Sequence, residues 1–151
     1  MARSDVQVSS ETHRNESLNF ELATGNWELI RFLFPATMPR FKMTLEYAGT
    51  RYSGWQKQKN ARTVQGEIER AVAEVTGQRH FECQGSGRTD AGVHALMQVA
   101  HLDLNATLPP ETLRRRLNDE LPADVNVLTI AKAHHRFHAR HSAVARSPPN
   151  V

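Results

Sequence analysis

The sequence predicts an α+β fold, an antiparallel sheet with two helices packed on one face. Three observations predict it. Apolar and polar residues alternate over Phe41 to Tyr47, the signature of a half-buried strand. An apolar stripe at helical spacing runs through Val64, Ile68, Ala71, Val72 and Val75. The predicted elements then follow in the order β-α-β-β-α-β plus an extra strand, the split βαβ pattern of ferredoxin-like and RRM-like sheets. At 151 residues the chain is expected to form one such domain, over residues 38–146.

Residues 1–37 are polar and carry no clear period, and they read as a disordered or loosely ordered N-terminal extension. Met38 stands just before the first strand and is expected to be the natural start. Phe41, Met43, Leu45 and Tyr47 are expected on the core face, and Ala48-Gly49-Thr50 turns the chain. Thr63 is a good N-cap for a helix running to Thr76, Glu67 and Glu69 sit near its positive end, and Gly77 supplies the stop. A second strand is expected near His80 to Gln84 and a third from Leu96 to about Asp103. Pro109 and Pro110 open the second helix, with Leu113 and Leu117 inward and Arg114 to Arg116 largely outward. Val125 to Ala131 is the fourth strand, Phe137 to Val144 is the extra one, and residues 147–151 form a divergent tail.

Charge and cysteine content narrow the class. The net charge is +3 and the sequence pI about 9.4, and the basic excess lies beyond residue 37. A polyanionic partner is allowed by that balance without being required. Cys83 is the only cysteine, so no internal disulfide and no cysteine-based zinc site can form, and a reducing cytoplasm is the simplest compartment. Trp27 to Ala36 is apolar but short, and Glu28 and Arg31 interrupt it; no membrane association is expected.

The richest chemistry sits in Gly85-Ser86-Gly87-Arg88-Thr89-Asp90-Ala91-Gly92-Val93-His94-Ala95, between two predicted strands. This loop is neither a dinucleotide fingerprint, since Asp90 stands where the third glycine is needed, nor a phosphate loop, since Gly-Lys-Ser/Thr is absent. Ser86, His94 and Asp90 compose a hydrolase triad on paper, without a nucleophile elbow. His134, His135, His138 and His141 cluster, but their spacing fits no metal site, and none is expected. Asp90 with Arg88 is the better candidate. In a locally extended segment the two share a side, and the guanidinium would hold the carboxylate ionised and oriented. Such an aspartate serves as nucleophile or general base, while an ion pair that merely braces the loop is the equal alternative. In Arg51 to Gln58, aromatics interleave with cations, which suits nucleic acid, and Trp55 reads equally as a core anchor. The Arg114–Arg116 run is open between a solvated face and an RNA-backbone contact.

Gly87-Arg88-Thr89-Asp90-Ala91-Gly92-Val93-His94-Ala95 resembles the signature of the TruA-type tRNA pseudouridine synthases. Tyr47 to Gln58 resembles that family's N-terminal motif, and Thr63-Val64-Gln65-Gly66-Glu67 the start of its first helix. Gln98-Val99-Ala100-His101, Leu117-Asn118 with Leu121-Pro122, and Phe137-His138-Ala139-Arg140 follow in family order. The resemblance implies an isomerase that turns uridine into pseudouridine in the anticodon arm of tRNA, at positions 38 to 40, without a cofactor. It implies Asp90 as the catalytic aspartate and Arg88 as its partner. With it, Trp55, Gln56, Lys57, Thr89, His94 and Arg140 become the expected contacts to substrate RNA. tRNA is the implied partner, with a homodimer as an open question.

The sequence departs from the family at Ala48, where many members have aspartate, and at His141, where Phe is usual. The tyrosine that packs on the target uracil falls, by register, at Pro148. The chain ends at Val151, so the family's second half is expected to be missing and the 151-residue form to have little activity. A non-catalytic RNA-binding module or enzyme remnant is the rival expectation.

Overall fold

The computed structural model describes residues 38–144. Six regular elements follow in order: β1 (Arg40–Tyr47), α1 (Val64–Thr76), β2 (Glu82–Gly85), β3 (Ala95–Asp103), α2 (Pro110–Glu120) and β4 (Val125–Ala133). A single 3₁₀ turn, Gly49–Arg51, follows β1. The strands form one sheet in the order β2-β3-β1-β4, with every neighbouring pair antiparallel. Each helix thus connects strands that are not adjacent at its own crossover, as two interleaved βαβ units require.

The local signals act as their chemistry dictates. Phe41, Met43, Leu45 and Tyr47 are all buried. The Thr63 side chain accepts the Gly66 amide at 3.2 Å, and Gly77 ends α1 in the left-handed conformation, φ +68°. Val64, Ile68, Ala71 and Val72 from α1 meet Leu113 and Leu117 from α2 in the core beneath the sheet. The two helices touch each other, α2 runs along β4 and α1 along β2, so both lie on one face.

The sheet carries two irregularities with consequences. The register of β1 against β4 shifts between Thr44 and Leu45, so Leu128 is the extra residue. The buried side of β4 therefore switches from Val125 and Val127 to Ile130, leaving Thr129 exposed. The Asn118 amide spans the adjacent backbone, accepting the Val127 N–H at 2.8 Å and donating to the Val127 carbonyl at 3.0 Å. The register of β1 against β3 also shifts, so Glu46 faces Leu96 and Met97 together, and both apolar side chains stand 71% exposed.

The expected extra strand over Phe137 to Val144 is not formed. This stretch is a series of turns, held by Phe137 N–H to the His134 carbonyl at 2.9 Å and Ser142 N–H to the His138 carbonyl at 2.7 Å. Those short-range bonds use the amides that a strand would offer to a neighbour. The second strand starts at Glu82, two residues later than expected. The expectations for residues 1–37 and 147–151 lie outside the described residues.

Candidate active site

The glycine-rich loop leaves β2 and enters β3. Its base is closed by Ser86 N–H to the Val99 carbonyl at 2.7 Å and by the Gln98 amide to the Gly87 carbonyl at 2.6 Å. Its far side is stitched to the segment after β1, almost wholly through backbone. Trp55 N–H donates to the Thr89 carbonyl at 3.1 Å, and Gly92 N–H to the Tyr52 carbonyl at 3.2 Å. Gly49 N–H donates to His94 Nδ1 at 3.0 Å. Backbone approaches this close need glycine. A Cβ on Gly49 would lie 1.9 Å from the Val93 carbonyl oxygen, and Gly54, at φ +88°, faces the Thr89 carbonyl.

Two buried tyrosines carry the arrangement into the core. Tyr47 hydroxyl and Thr89 Oγ1 are 2.8 Å apart, and burial raises the Tyr47 pKa against the opposing effect of that bond. Tyr52 donates to Asp124 at 2.5 Å, and burial, with the Asp124 carboxylate, pushes its hydroxyl pKa far up. Both rings stay neutral struts at any ordinary pH.

Thr89 therefore points inward, and Arg88 and Asp90 are left exposed on either side of it. Neither forms an ion pair or side-chain hydrogen bond among the described residues, so the expected Arg88–Asp90 pair is not made here. Arg88 instead lines an open cleft of about 460 Å³ together with Gln56, Gln84, Gly87 and Arg140. Trp55 forms part of its wall but is only 2% exposed; its ring packs against Gly85 and, at 6.0 Å, Tyr47. It is the core anchor of the two open readings. Lys57 is turned aside, with Nζ on Glu69. His94 lies on a second, smaller depression of about 330 Å³ beside Tyr47, Leu96 and Asp124.

The structure thus gathers Gln56, Arg88 and Arg140 at the cleft, with Asp90 on the same loop as Arg88 and Lys57 held by Glu69 of the cleft wall, and sets His94 apart. Ser86 Oγ bonds Gln98 at 3.3 Å and His94 Nδ1 is taken by backbone, so the paper triad with Asp90 is not assembled. No group of three or more His, Cys, Asp or Glu among the described residues is placed to hold a metal. No described helix is long and apolar enough to cross a membrane. Tyr47, Gly49, Tyr52 and Asp124 position the loop and were not singled out as site residues from sequence. Only the motif from Tyr47 to Gln58 held three of them, Tyr47, Gly49 and Tyr52.

Comparison with known proteins gives the same residues a context. A family described as tRNA pseudouridine synthase matches residues 43–142. A protein of Sinorhizobium fredii named tRNA pseudouridine synthase A is 47% identical over 112 residues, 72% of this chain and 45% of that protein. The protein of the same name from Agrobacterium fabrum is 49% identical over 112 residues, 72% of this chain and 42% of its own length. That from Streptococcus equi is 46% identical over 104 residues, with 69% and 42% covered. The chain spans less than half the length of the curated relatives it matches.

Proposed function

The chain belongs to the tRNA pseudouridine synthase family, and on that premise we propose that it carries the aspartate-bearing part of an isomerase acting on uridine in the anticodon arm of tRNA, at positions 38 to 40. The observation that carries the reading is Asp90, exposed on a loop locked by backbone bonds, two residues from Arg88, which lines a cleft with Arg140. The conversion breaks the N1–C1′ bond of uridine and forms C5–C1′; the C5 proton leaves and N1 takes one up. No electron is gained or lost, so the chemistry calls for no redox cofactor. Asp90 is the group that attacks or takes the proton. Arg88 and Arg140 hold phosphate or the displaced nucleotide, which must leave the stack to be turned over. The reaction belongs in the cytoplasm, where Cys83 stays a free thiol. A homodimer is retained in the proposal on the exposed apolar pair Leu96 and Met97.

The 151-residue chain assayed alone on a tRNA transcript is expected to give a low yield of pseudouridine, because Asp90 faces solvent. Asp90→Asn should bring that yield to background and leave salt-dependent tRNA binding unchanged. A yield that survives Asp90→Asn overturns the role of the aspartate. A second reading, a non-catalytic RNA-binding module, is favoured by the same exposure of Asp90; it requires tRNA binding with no pseudouridine formed by either protein.

A further inference from the structure

His101 is a buried histidine that the reaction does not use. It sits on β3 between Ala100 and Leu102, which face the helices, so its ring projects from the opposite side of the sheet. The turns after β4 cover it, and it is 1% exposed. Ala139 N–H donates to His101 Nδ1 at 3.1 Å, and Ala139 is itself buried. The rings of His138 and Phe137 stand 4.7 Å and 6.5 Å from the imidazole, edge-on. A second anchor lies alongside. Arg40, gripped by Asp103 at 2.6 and 2.5 Å, donates to the carbonyls of His135 and Phe137 at 3.0 and 2.5 Å. The residue after Ala139 is Arg140, which lines the cleft with Arg88.

We propose that His101 is a positioning residue for Arg140: its neutral ring holds the Ala139 amide, next to the Arg140 amide on His138 Nδ1, and thereby helps fix Arg140 in the cleft, and protonation of His101 Nδ1 releases it. The proposal deepens the reading above and rests on the cleft receiving RNA. A protonated Nδ1 has no lone pair left to accept, so the anchor exists only in the neutral ring. Arg40 and Lys42 from β1, Glu82 from β2, Asp103 from β3 and His138 from the turn face this imidazole. Burial first, then the Arg40 charge, hold its pKa below 6.5, with Asp103 and Glu82 opposing. A depressed histidine pKa means that the anchor is fully present above about 6.5 and is lost as pH falls through the lower folded value.

Two variants of the full chain test this. His101→Phe keeps a planar ring, slightly larger, and removes the acceptor. His101→Asn places Oδ1 near the position of Nδ1 and cannot titrate in this range. Hydrogen exchange at the Ala139 amide, corrected for intrinsic pH dependence, should lose protection below pH 6.5 in the unaltered chain and keep it in His101→Asn. His101→Phe should lose it throughout. In tRNA binding, His101→Phe and Arg140→Ala should each weaken affinity by up to about tenfold and reduce the salt slope by about one, and the double variant should lose nothing further. Retained protection in His101→Phe, a pH dependence that persists in His101→Asn through His138, or additive losses would each overturn the proposal. Should His101→Phe fail to fold, the pH comparison with His101→Asn decides alone. An unaltered chain that does not bind tRNA overturns the RNA reading, while the amide measurement still judges the anchor.

Discussion

Glycine carries different loads at different positions of this molecule. Gly92 sits at φ +80°, where a side chain is strained. Gly85 is needed because the Trp55 ring lies 2.6 Å from where its Cβ would be, and Gly87 has open space around it. Gly49, outside the loop, is the most tightly constrained, since the atom it would strike is the Val93 backbone. Gly49→Ala should therefore destabilise the fold by about 1–3 kcal/mol in denaturant titration, and Gly87→Ala should stay within about 0.5 kcal/mol. From sequence, the three loop glycines read alike as permission to turn. Which of them is compulsory depends on the Trp55 ring against Gly85 and on the left-handed backbone at Gly92, which no local pattern announces. The same limit applies to the ionic pair. Arg88 and Asp90 were expected on one side from their spacing around Thr89; both are exposed, and no ion pair joins them.

Strands and helices were legible wherever one periodicity ran unbroken. Thr63, the stripe from Val64 to Val72, and Gly77 define α1 with almost no help from the rest of the chain. β4 was harder, because a strand read by strict alternation would bury Thr129, and the bulge at Leu128 buries Ile130 instead. Asn118 is what makes that bulge tolerable, bonding both backbone groups of the buried Val127 from a half-buried position. Asn118→Ala should cost about 1–3 kcal/mol of unfolding free energy by leaving the Val127 N–H unpaired and its carbonyl with only the longer Arg114 bond, with the slope against denaturant unchanged. Phe137 to Val144 failed as a strand for a related reason. His138 accepts the Arg140 amide and Ser142 accepts that of His138, so side chains take up the bonds that a sheet would need.

The described domain has one core, and Cys83 lies inside it. Burial, aided by the Glu69 and Glu82 carboxylates, pushes its thiol pKa up to about 12, so almost no thiolate exists near neutrality. Alkylation followed by mass spectrometry should accordingly be slow in the folded chain and should accelerate in step with loss of circular dichroism as denaturant is added. Labelling that runs ahead of that loss would mean that β2 opens on its own. At this scale the α+β class and the two-helix layer were readable from the order of elements, because short connections leave few ways to cover an antiparallel sheet. The cleft was not readable, since its arginines arrive from loops far apart in the chain.

Trp55 has an optical consequence. Its indole is shielded from water, beside Tyr47, and packs against the first glycine of the glycine-rich loop, in the wall of the cleft. The chain has one other tryptophan, Trp27. With Trp27 replaced by Phe, the emission colour and quenching of a single native chromophore would report how tightly that loop is seated, without any dye attached to the surface where RNA is proposed to land.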